Sequence, residues 1–511
     1  MRLSRLLTFL VLAGGALSAG CYSASNDCNL FDCGTGGGAT TSTTATGGAG
    51  GGGGGTPAGC VPSEATGPVA DGCGIFVSPD GADGNPGTKA KPLATIGAAV
   101  EKAKDGGKRV YACAKTFTEA ATLASDVTIY GGLDCDKAWD YSNSNRTQWT
   151  AAADATPIHV GAGLSVAILD FDISAADAST PGASSIAILV ENAATLDLKR
   201  ASVKAGLAAA GKDGDPYSTT AADGASGTTG VDACTTAQAN TPNAPVNDCG
   251  DVDSIGGSGG TGAPAQGSPG SPGQPEGDPN GGAGEGAAAC KLGTAGVNGT
   301  DGPAGVGATG IGLIGNTGYA GTAGMNGNTG APAQGGGGGG GSKGGTGSGK
   351  CADAAKAAGA SGGSGGSGGC GGLGGNGGGP GGASIGIVSL GATLMFDTVT
   401  ITAQKGGDGG NGGEGQIGGV GAPGGNGGTV PPAATLLKPA CKGGKGGDGG
   451  KGGIGGGGLG GHSIGIAFLG DAPDAKNATI FVGQPGVGGD GELMNDVSKG
   501  ASGIAKDVQP F

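Results

Sequence analysis

The sequence predicts an all-β chain, a parallel β-helix (solenoid) interrupted by long glycine-rich insertions. Three observations predict it. SVAILDFDISA (165–175), TLDLKRASVKA (195–205) and TLMFDTVTITA (393–403) align as copies of one unit. Apolar and polar residues alternate inside each copy, which gives a strand one buried face. The glycine-rich runs 206–383 and 404–462 both follow the same point of the unit, after its Val/Ile-x-Ala end.

The aligned columns carry the architecture. Val166, Leu196 and Leu394 form one, and Ile168, Leu198 and Phe396 the next. Phe171, Ala201 and Val399 form a third, and Ile173, Val203 and Ile401 a fourth. Like residues recurring in register suit a coil that buries its apolar face only against the coils above and below it. SIAILV (185–190), SIGIVSL (384–390) and SIGIAFL (463–469) extend the repeat. The glycine runs then loop out from one corner of the coil and return. Segregation of this kind reconciles a core with a composition in which 130 of 511 residues are glycine, against ~7% in ordinary domains.

From the N-terminus, Arg2 and Arg5 precede the apolar run from Leu6 to Leu17, a secretory signal peptide over 1–20. Ser18, Ala19 and Gly20 before Cys21 resemble a bacterial lipobox, in which Cys21 is lipidated. Ser18 departs from the family's leucine three positions before the cysteine, and Leu17 stands one step earlier. Residues 21–59, rich in Gly, Thr and Ser, read as a tether. The expected location is a bacterial cell envelope, with membrane attachment through the lipid. Tyr22 at the position after Cys21 places it, by analogy, at the outer membrane.

Twelve cysteines remain for disulfides: Cys28, Cys33, Cys60, Cys73, Cys113, Cys135, Cys234, Cys249, Cys290, Cys351, Cys370 and Cys441. Neighbours such as Cys60 with Cys73, or Cys234 with Cys249, are candidate pairs, and sequence does not fix the pairing. No C-x-x-C pair exists and the histidines are His159 and His462, so no metal site is expected. The net charge of −14 argues against nucleic acid as a partner.

Residues 60–205 read as an N-terminal cap and the first coils. GIFVSP (74–79) is a strand. Leu93, Ile96, Ala99, Val100 and Ala103 share one face of a short capping helix, closed by Gly106 and Gly107. RVYACA (109–114) and SDVTIYGGLD (125–134) are strands again. Val77, Ser78, Pro79, Gly81 and Asp83, then Asn85, Pro86, Gly87 and Thr88, then Pro92, Thr95, Ile96 and Ala99, form a recognisable pattern. It resembles the N-terminal region of right-handed parallel β-helix proteins, the pectin-lyase-like proteins and the domain-of-unknown-function 1565 group. The resemblance implies a right-handed coil. It implies no single activity, because that fold hosts lyases, hydrolases, adhesins and inert spikes.

The insertion 206–383 has glycine at every third position over much of 293–330. Three solutions stay open: a bundle of polyglycine-II helices, a collagen-like assembly, or disorder. After the coil at 384–403 comes the second insertion, 404–462, and then the last coil and C-terminal end, 463–511. KGGDGGNGG (405–413) and KGGDGGKGG (445–453) resemble Gly/Asp-rich calcium repeats but lack their apolar anchor. No cofactor is expected, with calcium as the alternative.

The function expected is a non-catalytic structural or adhesive surface element, with polysaccharide or other envelope material as partner. One alternative is a polysaccharide lyase or glycoside hydrolase using Asp170, Asp172, Asp197, Arg200 and Lys204. A lyase of the resembling fold sets acids for calcium and a base for proton abstraction on one outer face. Against it, the same residues suit ion pairs on a solvated sheet. Trp139, Tyr141 and Trp149 are candidate sugar-stacking aromatics, or covers for the end of the core. A second alternative is an ice- or glycan-binding polyglycine-II layer, which requires Thr and Asn of 309–330 on one face.

Overall fold

The structure, a computed structural model, describes residues 59–104, 109–492 and 495–511. The signal peptide, Cys21, Cys28, Cys33, nearly all of the tether, and Gly106 and Gly107 lie outside the described residues. The fold is nearly all-β and is dominated by two large parallel sheets, of 11 and 6 strands.

The chain opens with β1 (Gly74–Val77) and helix α1 (Ile96–Lys104). There follow β2 (Arg109–Cys113), β3 (Thr116–Thr118), β4 (Ala121–Leu123), β5 (Val127–Asp134) and the short β6 (Asp140–Tyr141). The next passes are β7 (Thr147–Thr150), β8 (Ile158–Val160), β9 (Ser165–Leu169), β10 (Phe171–Ser174), β11 (Ser185–Val190) and β12 (Thr195–Lys204). Two small antiparallel pairs lie within the first insertion: β13 (Val246–Asn247) with β14 (Ser254–Ile255), and β15 (Leu313–Gly315) with β16 (Gly318–Ala320). The last passes are β17 (Ser384–Leu390), β18 (Thr393–Thr402), β19 (Ser463–Leu469), β20 (Ala478–Phe481) and β21 (Ala505–Pro510).

Pairing sorts the strands into stacks. β1, β2, β5, β9 and the first half of β12 run side by side. β3, β7, β10 and the second half of β12 form another stack, and β18 extends both. The six-stranded sheet runs β4-β8-β11-β17-β19-β21. The registers pair the aligned columns, with Leu196 opposite Val166 and Leu394, Leu198 opposite Ile168 and Phe396, and Val203 opposite Ile173 and Ile401. The facing apolar residues build one main core, which includes Trp149, Ile168, Leu198, Ile387 and Ile466.

Helix α1 lies on this core through Ile96, Ala99, Val100 and Ala103. It begins three residues later than the start of the apolar pattern. The Asp83 carboxylate takes the N–H groups of Ala94 and Thr95, and Glu119 takes those of Ile96 and Gly97. Those acceptors satisfy donors that a helix start leaves open.

The glycine-rich stretches are ordered arms. The chain runs out along 208–233, back along 291–308, out along 324–342 and back along 359–382. A second excursion goes out along 404–429 and back along 441–461. A third, shorter one within 483–504 was not read from the sequence, which has 463–511 as the last coil and C-terminal end. Gly363, Gly366, Gly369, Gly372, Gly375 and Gly378 donate to the carbonyls of Cys441, Gly444, Gly447, Gly450, Gly453 and Gly456. Both partners advance by three, so these arms are parallel. Gly324, Gly327 and Gly330 donate to Gly378, Gly375 and Gly372, an antiparallel ladder on another side of the same arm. Gly413 and Gly410 reach Asn376 and Gly379 on yet another. Threefold helices hydrogen-bonded sideways to several neighbours are the geometry of polyglycine II rather than of a disordered loop.

Glycine count tracks position in the bundle. The arm 291–308 has one glycine per triplet, and its other residues are mostly exposed. The arm 359–382 has two per triplet and is largely buried. Gly335 to Gly341 is glycine throughout and buried throughout. A Cβ on Gly377 would fall on the carbonyl oxygen of Gly324, and one on Gly365 on that of Gly336. Each packed side thus requires its own glycine.

Serines close the base of the excursions. Ser185, Ser384 and Ser463 begin their strands and stand in register. Their hydroxyls accept from the N–H of Gly206, Gln404 and Gly483, the residues where the chain turns outward, each at 2.8 Å. Ser384 also donates to the Gly206 carbonyl at 2.8 Å.

Five disulfides are present among the described residues. Cys60–Cys73 and Cys113–Cys135 lie at the N-terminal end. Cys234 pairs with Cys351 rather than with its neighbour Cys249, which pairs with Cys370, and Cys290 pairs with Cys441. The correction follows from arm packing, which brings residues 117, 121 and 151 apart in sequence side by side.

Ser384→Ala orphans a buried N–H and a carbonyl, so it should cost about 1–3 kcal/mol, read by thermal unfolding with hydrogen exchange at Gln404. Gly377→Ala should cost at least about 1–3 kcal/mol, the usual penalty of overpacking. Asn426→Ala, at an exposed position of a neighbouring arm, should stay within about 0.5 kcal/mol.

Candidate functional site

The sequence directs attention to the bend between β9 and β10. Asp170 sits there with φ 63°, and the stacked positions Arg200 and Thr398 have φ 47° and 59°. Positive φ is uncommon in residues with a side chain. Here it recurs at one corner of successive passes and turns each strand from one stack into the next. The Asp170 N–H donates to the Lys199 carbonyl at 3.1 Å, which holds the corner in register.

Asp170 is 1% exposed. Arg200 grips it with two bonds, Nε to Oδ1 at 2.9 Å and a terminal nitrogen to Oδ2 at 2.7 Å. Arg146 adds a contact at 3.4 Å, and the Tyr141 hydroxyl donates to Oδ2 at 3.2 Å. The Asp170 hydrogen bonds push the Arg200 guanidinium above its usual range, and burial raises the Tyr141 phenol. Beside this cluster lies an open depression of about 490 Å³ lined by Ser63, Tyr141, Ser142, Asn143 and Arg200. A second, of about 340 Å³, is lined by Lys115, Asp134, Asp136, Ser144, Asn145 and Arg146 among others.

The other sequence candidates go elsewhere. Asp172 accepts from the Gln148 amide at 2.8 Å. Asp197 is buried and faces Lys199 at 3.3 Å. Lys204 ends β12 and is exposed. Of the five, only Asp170 and Arg200 pair directly, and both oxygens of that carboxylate are engaged. Arg146 completes the cluster and was missed, because its position before β7 lies outside the aligned copies.

The aromatic candidates require correction. Trp139 is 3% exposed, packs edge-on against Phe76 at 4.9 Å and donates to the Lys89 carbonyl. Trp149 is fully buried beside Phe171 and donates to the Glu119 carbonyl. Neither ring is open to a sugar. Tyr141 is half-buried and its hydroxyl is committed to Asp170.

A second set of acids serves the arms. An outward residue of an arm presents an N–H that no neighbouring backbone reaches. Asp213, Asp223 and Asp232 accept those of Asn411, Val420 and Thr429 at 2.6–2.7 Å. Asp301 and Asn298 do the same for Lys451 and Asp448. Asp408 and Asp448, in the calcium-like stretches, face Lys405 and Lys445 three residues before them, both at 2.9 Å. Among the described residues, no group of three or more His, Cys, Asp and Glu is placed to hold a metal ion. The Thr/Asn row required of an ice- or glycan-binding layer over 309–330 is broken. Residues 313–320 form the β15–β16 hairpin, and Asn326 is turned to cap the Gly377 N–H.

No protein-family model and no curated protein matches the chain. Among solved structures, a rhamnogalacturonan lyase is similar at 16% identity and a TM-score of 0.20, over 26% of this chain and 36% of that one. The chain thus spans little more than a third of the length of that structure.

Arg200→Ala leaves the buried Asp170 carboxylate short of its main partner. It should cost about 3–5 kcal/mol, measured by chemical denaturation. The double change Asp170→Ala/Arg200→Ala should recover part of that loss.

Proposed function

We propose that the chain is a non-catalytic structural or adhesive element of a bacterial cell envelope, lipid-anchored through Cys21 at the outer membrane. On this reading the β body is a right-handed parallel β-helix, and the glycine arms are a stiff blade rising from one corner of it. The arm 359–382 extends roughly 75 Å at about 3.1 Å per residue.

One observation carries the reading. The acidic side chains that would otherwise serve chemistry are committed within the fold: Asp170 to Arg200, Arg146 and Tyr141 at a bend, and Asp213, Asp223, Asp232 and Asp301 to arm N–H groups. What the blade offers a partner is rows of side chains three residues apart on a rigid backbone. Along 291–308 one such row is Thr294, Val297, Thr300, Pro303 and Val306, exposed and without charge.

The test is binding and product release on a panel of polysaccharides and isolated envelope material. The expected result is no product, and any binding lost in Thr294→Lys/Thr300→Lys. Product formed by the wild type and abolished by Asp172→Asn or Lys204→Gln, neither of them in the buried cluster, would replace this reading with a catalytic one.

A further inference from the structure

The chain has two histidines, and the structure uses them differently. His159 lies on β8, partly exposed, with Nε2 2.8 Å from Glu191. His462 is fully buried where three returning segments meet. Its Nε2 donates to the Ile311 carbonyl before the β15–β16 hairpin, at 2.8 Å. Its Nδ1 accepts from the Ile504 N–H, immediately before β21, at 3.0 Å. Its own carbonyl takes the Ser384 N–H at 2.8 Å, at the start of β17. The Tyr319 and Phe511 rings pack on it, with centroids 5.1 and 6.1 Å away.

We propose that His462 is an acid-operated latch, holding β21 on β19 near neutral pH and releasing it when the ring gains a second proton. The neutral ring has one donor and one acceptor, and this site uses both. A second proton goes to Nδ1, where it faces the Ile504 N–H, donor against donor. Both ring nitrogens are engaged by backbone groups, and neither is bonded to a carboxylate. The titratable group of the hairpin is Tyr319, and those of the last strand are Lys506 and Asp507, both exposed. Burial lowers the basicity of the ring, in agreement with the geometry. The bond to Ile311 survives protonation, so the hairpin stays and the last strand is what leaves. Release uncovers one edge of β19 and the apolar residues Ile464 and Ala467, against which Phe511 packs.

The sign follows from linkage. The released ring binds its proton with an ordinary pKa near ~6.5, and the latched ring binds it more weakly. The latch is therefore complete above that pH and weakens as pH falls, by up to about tenfold in the opening equilibrium per pH unit.

Hydrogen exchange of the full chain, followed by mass spectrometry between pH 7.5 and 5.0 and corrected for intrinsic rates, tests this. Protection over 504–510 should fall as pH drops below ~6.5, by up to about tenfold per unit, while β11 and β17 keep theirs. His159→Gln should behave as the wild type. His462→Gln and His462→Asn should show exchange over 504–510 independent of pH. Protection that does not change with pH in the wild type would overturn the latch. So would a fall shared equally by β11 and β17, or one that disappears in His159→Gln. The wild-type measurement decides even if the His462 variants do not fold.

Discussion

The constraint beneath the whole structure is that every backbone N–H and C=O withdrawn from water needs a partner. The β body meets it by parallel pairing, and its apolar side chains supply the driving force for burial. The arms have few apolar side chains to bury. They meet the same requirement sideways, each threefold helix bonding to several neighbours at once. That solution works only if backbones approach to a distance at which a Cβ cannot stand. Glycine is thus needed here for its missing volume more than for its conformational freedom. The cost is the large backbone entropy that glycine loses on ordering. The disulfides Cys234–Cys351 and Cys290–Cys441 offset part of it by closing long loops.

The two architectures share a narrow boundary. The apolar stacks end at residues such as Val203 and Ile401, and the arms begin within a few positions. Ser185, Ser384 and Ser463 stand on that line and satisfy the first outward N–H groups. A hydroxyl suits the place because it can accept from one chain and donate to another, and it is short enough to fit between close backbones.

The sequence disclosed the β body well. Alternation on either side of the bend in 195–205 and 393–403 showed which residues face the core, and the columns showed their register. It disclosed less about the arms, because a GGX triplet specifies how many sides are packed without saying against which arm. That ambiguity misplaced Cys234 beside Cys249 and hid the third excursion, whose triplets are too few to stand out from a loop. At the candidate site the pattern found Asp170 and Arg200, since both lie inside the repeats. It missed Arg146, which approaches from outside them. It also left Trp139 and Trp149 open to two readings, because a large ring in a turn-rich stretch looks the same whether it caps a core or faces solvent. The Asp and Asn residues of the arms were legible as polar, but their use as backbone caps depends on a neighbour up to 198 residues away.

Threefold periodicity also sets a rule for how such arms can change over generations. Adding one residue to an arm rotates everything beyond it by a third of a turn and swings a side chain into a space only a hydrogen fills. Adding three leaves every face where it was. Since each arm leaves and returns at the same corner, length is gained without loss in whole triplets, matched on the outward and inward runs. The genetic unit of variation in these arms is therefore a nine-nucleotide step, and copies differing in reach should differ in multiples of it while the β body beneath stays the same.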